Sequence, residues 1–199
     1  MKFDYYLENS AGYAGLIIEI QNFNKNYSIA YGWDGCDIKD LLGGIIALFD
    51  DNSKLCSELS EKYLLQDSDN SFEWLIIAGP DQTKFNFLKL DEKNMEVKIF
   101  ESDFNSNEDG ENVFTGIVKI NELIECILSS CNRVLNQYGI LGYYNNFWVE
   151  FPLFYYLYLK NIIDKKIEYK DIIENINNED QNMNKTNILE EIELIIKRE

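Results

Sequence analysis

Three short apolar runs follow one another with only brief polar breaks: Ser71–Ala78 (SFEWLIIA), Lys84–Leu90 (KFNFLKL) and Met95–Phe100 (MEVKIF). In the second, Phe85, Phe87 and then Lys89 fall at alternate positions, which puts them on one face of an extended strand. Gly79-Pro80-Asp81 closes the first run as a turn. A parallel return needs a crossover of a dozen or more residues, so connections this short oblige the strands to pair antiparallel. A fourth run, Val113–Val118, follows the polar loop Asp103–Asn112. An antiparallel meander is the expected centre of the fold.

The flanks extend the pattern. Tyr13–Gln21 and Tyr27–Trp33, separated by Asn22–Asn26, predict a hairpin, with a short strand at Lys2–Leu7 before it. In Asp37–Phe49, apolar residues at 38, 41, 42, 45, 46 and 49 have helical spacing, and Asp34 or Asp37 is placed to cap the N-terminus. The adjacent Gly43 and Gly44 weaken that helix, which points to close packing against it. A short helix is expected at Lys54–Leu65. From Asn121 to Tyr138 one stripe carries Leu123, Ile124, Ile127, Leu128, Cys131, Val134 and Leu135, with Gly139 as the terminator. Pro152 opens a further helix to about Asp164. Two weaker helical segments, Tyr169–Ile176 and Ile188–Lys197, flank the Asn-rich linker Asn175–Asn187, whose order the sequence leaves open. Residues 1–199 thus read as a single α+β domain with 165–199 as a helical C-terminal extension. Its mainly antiparallel sheet of five or six strands is covered by the 37–49 and 121–138 helices.

The chain carries 35 acidic and 18 basic residues, a formal charge of −17, yet aromatics make up 14% of it, unlike a disordered acidic tail. Residues 1–150 hold 25 acids and 11 bases, a net of −14. Such a field repels nucleic acid and anionic lipid and draws in basic proteins; it also simply keeps a protein in solution. The region Ile140–Ile163 is interrupted by Asn145, Asn146, Glu150, Pro152 and Lys160, against a membrane span. The first residues, MKFDYYLENSAGYAG, lack a continuous apolar segment, so no signal peptide and a cytoplasmic location are expected. Cys36, Cys56, Cys126 and Cys131 form no CxxC pair and read as free thiols in a reducing compartment.

Histidine is absent. That removes the commonest general base, the usual Ser-His and Cys-His pairs and the commonest metal ligand. GxGxxG, Walker A and GxSxG motifs are also missing, so neither an enzyme nor a cofactor is expected. Asp34, Asp37 and Asp40 have the spacing of a cation site and equally of helix capping, and capping is the better reading. Asn105-x-Asn107-x-Asp109-Gly110 imitates half of a calcium-binding loop, but Gly116 stands where the bidentate glutamate belongs. Carboxylate catalysis would need two of Glu19, Glu73, Glu101 and Glu150 to meet. The aromatic group Tyr143, Tyr144, Phe147, Trp148, Phe151, Phe154, Tyr155, Tyr156 and Tyr158 reads mainly as core, with some tyrosines exposed.

Taken together, Ile38–Leu48 (IKDLLGGIIAL), Phe72-Glu73-Trp74 and Glu122–Pro152 (ELIECILSSCNRVLNQYGILGYYNNFWVEFP) lie in a segment, Gly32–Leu157, that resembles small bacterial immunity proteins of polymorphic or contact-dependent toxin systems. The resemblance carries over no functional residue. It implies a protein that neutralises a cognate toxin by direct binding, and an acidic inhibitor suits a partner with a basic surface. Candidate contacts are Glu101, Asp103, Glu108, Asp109 and Glu111, a stretch of five acids and no base, with Asp34 and Asp37. The alternative is a regulatory or structural adaptor that binds a protein or peptide through an aromatic face including Tyr143, Tyr144 and Trp148. Nucleic acid and membrane are not expected partners.

Overall fold

A computed structural model describes residues 1–9, 11–30, 37–49, 54–65, 68–103 and 110–165. All but the first residue of the expected extension at 165–199 therefore lies outside the described residues, as do Asp34, Cys36, Glu108 and Asp109. Eight strands and four helices are present among the described residues, in the order β1 (Lys2–Leu7), β2 (Tyr13–Ile20), β3 (Phe23–Ala30), α1 (Ile38–Phe49), α2 (Lys54–Tyr63), β4 (Leu64–Leu65), β5 (Ser68–Ala78), β6 (Asp81–Lys89), β7 (Asn94–Asp103), β8 (Glu111–Lys119), α3 (Ile120–Phe147) and α4 (Leu153–Lys165). The fold is α+β with wholly antiparallel pairing, as expected. The strands divide, however, between two sheets, β1-β2-β3 and β4-β5-β6-β7-β8.

An aromatic seam holds these sheets together. In the first, Tyr5, Leu16 and Tyr27 stand across from one another on one face. In the second, Phe72 pairs with Phe87 and Trp74 with Phe85. Rings then meet between the sheets: Phe3 with Trp74 (centroids 6.3 Å apart), Tyr27 with Phe85 (5.6 Å) and Phe23 with Phe114 (5.0 Å). These distances lie in the range of favourable aromatic pairs. The period-two pattern decides which residues take part, because a one-residue slip would turn every ring outward.

The first hairpin turns earlier than its polar residues suggest. Ile20 pairs with Phe23 around Gln21-Asn22, with Gln21 at φ 54°, so Asn24, Lys25 and Asn26 belong to β3. Their side chains are exposed while their backbones pair in the ladder, which is why polarity there reads as a loop.

Helix α1 is buried on every side from Leu41 to Leu48. Its two glycines explain how. A Cβ on Gly43 would overlap the Tyr63 ring of α2, and one on Gly44 would overlap the Phe72 ring of β5. Asp37 caps the helix, its Oδ1 accepting from the Asp40 N–H at 3.1 Å. The Trp74 indole N–H donates to the Asp37 carbonyl at 3.0 Å, which ties the start of α1 to β5.

Helix α3 runs beside β1. The Arg133 guanidinium pairs with Asp4 and donates to the Tyr5 carbonyl at 3.0 Å. Gly139, at φ 66° and ψ 179°, breaks α3 into two arms at the expected terminator; the second arm, 140–147, resumes beyond it. No helix among the described residues is long and apolar enough to cross a membrane.

Gly44→Ala should destabilise the protein by about 1–3 kcal/mol through overpacking against Phe72, even though alanine favours the helix by about 1 kcal/mol. Urea unfolding should show a lower midpoint with an unchanged slope.

Candidate functional site

The inner face of the five-stranded sheet changes character along its length. It begins with the rings of Phe72, Trp74, Phe85 and Phe87, continues through buried Thr83, and ends in carboxylates. Alternation alone generates this: positions 81, 83, 85 and 87 of β6 share a face, as do 97, 99, 101 and 103 of β7. At the acidic end Asp81 stands opposite Asp103, and Glu101 opposite Glu111. Like charges directly opposite one another destabilise an antiparallel pair.

Glu101 is held from the other sheet. Its Oε1 accepts from the Tyr27 hydroxyl at 2.9 Å, and its Oε2 pairs with the Lys25 ammonium. Burial, then the hydrogen bond and charge of Glu101, raise the Tyr27 hydroxyl well above the usual phenol range, so it stays a neutral donor. Between the sheets here lies a cleft of about 530 Å³, lined by Lys25, Tyr27, Thr83, Glu101 and Asp81 among others. Asp103 and Glu111 are exposed beside it.

The remaining candidates fall elsewhere. Asp37 is a largely enclosed helix cap. Burial first, and then the neighbouring Asp40, raise its carboxyl from the ordinary 3.8 to about 6. Asp40 in turn accepts from the Tyr63 hydroxyl at 2.9 Å and faces Lys62 at 3.3 Å. Glu19 faces Lys2 at 3.5 Å and Glu73 faces Lys84 at 3.7 Å, so these strand glutamates, like Glu101, sit against lysines rather than one another. Glu150 is exposed. Of the thiols, Cys126 and Cys131 are free, and burial pushes Cys131 up to about 12.

The aromatic group divides. Tyr143 is not a surface residue: it is fully buried, its hydroxyl 2.7 Å from that of Tyr5, with Phe147 and Phe151 packed edge-on to its ring. Helical spacing accounts for this correction, since 143 and 147 form the inner stripe of the arm 140–147. Tyr144 and Trp148 lie on the outer side, 51% and 50% exposed, joined by Ile140 and Leu141 at 45% and 79%.

Sequence reading missed Lys25, Tyr27, Asp81 and the Ile140–Leu141 pair. Asp81 carries a legible signal, two and four positions before Thr83 and Phe85 on one face. So do Ile140 and Leu141, which stand three to eight positions before Tyr144 and Trp148 once a helix resumes after Gly139. Lys25 and Tyr27 carry none, because the contact between sheets is set by the tertiary fold.

No family model matches the chain, and neither the curated proteins nor the solved structures contain a significant match to it.

Two measurements check the buried groups. Removing either hydroxyl of the Tyr5–Tyr143 pair strands the other, so Tyr5→Phe or Tyr143→Phe should each cost about 1–3 kcal/mol, and the double variant less than their sum. For Asp37, the folded chain holds the proton more tightly than the unfolded chain does. The residue therefore disfavours folding increasingly as pH rises from about 3.8 to about 6, and by a constant amount above that. Asp37→Asn keeps a capping oxygen, so its stability relative to the parent should rise between pH 4 and 7; a pH-independent difference would count against the buried charge.

Proposed function

We propose that this protein binds another protein and neutralises it, and that the partner is a toxin domain with a basic surface docked on the acidic end of the five-stranded sheet. One observation carries the reading: Asp81 and Glu101 line the cleft between the sheets, and their cross-strand partners Asp103 and Glu111 are carboxylates as well. A docked lysine or arginine would make charge-assisted hydrogen bonds to these carboxylates. The net charge of −17 supports the same reading, since a field of one sign speeds encounter with a partner of the other. The resemblance to toxin-immunity proteins supplies the class of partner. In such a role the inhibitor covers the surface its target needs, and the Tyr27–Glu101–Lys25 tie keeps the docking face in shape by joining the two sheets.

The test begins with co-purification of a partner at low salt, followed by association kinetics with the charge-reversed variant Asp103→Lys/Glu111→Lys. The on-rate should fall about tenfold or more at low salt and converge with the parent's at high salt, as steered association does. An unchanged on-rate would remove this face from consideration.

A further inference from the structure

We propose that the arm 140–147 of α3 is a self-association surface, on which a second copy of this chain docks through the outward stripe Ile140, Leu141, Tyr144 and Trp148. The arm has two apolar sides. Tyr143 and Phe147 face inward and are 0% and 1% exposed, while the four stripe residues are between 45% and 79% exposed. An amphipathic helix normally turns one apolar stripe to the core and a polar face to water. Here the second stripe is apolar as well, and exposed apolar groups of this kind mark interaction sites.

The charge distribution selects the occupant. Residues 134–149 include no Asp, Glu, Lys or Arg, in a chain whose net charge is −17. Two copies repel each other over their acidic surfaces and approach at least cost where that charge is missing. A basic partner has the opposite preference and is drawn to the carboxylates at 81, 101, 103 and 111. Low charge joined to exposed Tyr and Trp therefore fits a like-charged copy.

The stripe is also held in place before any contact. The Gly12 N–H donates to the Asn146 carbonyl at 2.7 Å, and the Trp148 N–H to the Tyr144 carbonyl at 2.7 Å. The Trp148 ring packs over Gly12. A fixed backbone lowers the ordering cost of association. Stripe against stripe is an isologous contact, which closes at two copies.

Sedimentation equilibrium of the full chain, at rising protein concentration in low and high salt, tests the proposal without any toxin present. Its outcome is thus separate from that of the neutralisation reading. The expected result is a monomer–dimer equilibrium that high salt strengthens, because screening removes the repulsion between the two acidic bodies. Leu141→Glu and Tyr144→Glu, at exposed positions, should each weaken the dimer by about tenfold, or about 1.4 kcal/mol, with unchanged thermal midpoints at low protein concentration. Monomer at every concentration in high salt, a dimer indifferent to both variants, or a dimer dissolved by salt would each overturn it.

Discussion

Everything in this protein is arranged around the seam of rings between the two sheets. Phe3, Phe23 and Tyr27 from one side meet Trp74, Phe85 and Phe114 from the other, and Phe72 stacks on Phe87 at 4.7 Å within the second sheet. Rings of this size bury large apolar areas and dominate the energetics of a core. The seam fixes the separation of the sheets, and with it the width of the cleft at their open end. It also supplies Phe72, the wall against which Gly44 lets α1 settle.

Polarity along the sheet follows from where that seam stops. Beyond Phe85 the same face presents Thr83 and then Asp81, and beyond Ile99 it presents Glu101 and Asp103. Tyr27 spans the boundary, its ring against Phe85 and its hydroxyl on Glu101. One side chain thus joins the hydrophobic core to the acidic rim.

Much of this was legible in the sequence. Short apolar runs located β5 to β8, a helical stripe located α3, and Gly139 marked the break within it. Gly43 and Gly44 announced close packing, and Asp37 announced a cap. What remained hidden was tertiary. Nothing in the strands themselves says that they split into two sheets, because face alternation is the same in one sheet or two. Polar Asn24, Lys25 and Asn26 disguised the start of β3, whose backbone pairs while its side chains face water. Tyr143 and Tyr144 differ in fate because adjacent helical positions point about a hundred degrees apart, and composition alone assigns them to one cluster. Of the acidic contacts, Glu101 turned out to be held by Lys25 and Tyr27 from the other sheet, a contact that no strand pattern announces.

The contacts of β1 set an order of events during synthesis. Tyr5 meets Tyr143, 138 residues further along, and Asp4 meets Arg133, 129 residues along. At roughly 5–20 residues per second, the ribosome delivers α3 about 7–28 s after β1. The meander β5 to β8, built from neighbours in sequence, forms without that delay. A nascent chain therefore carries a first strand whose outer edge waits for its helix, and an edge left open for that interval is a site for mispairing.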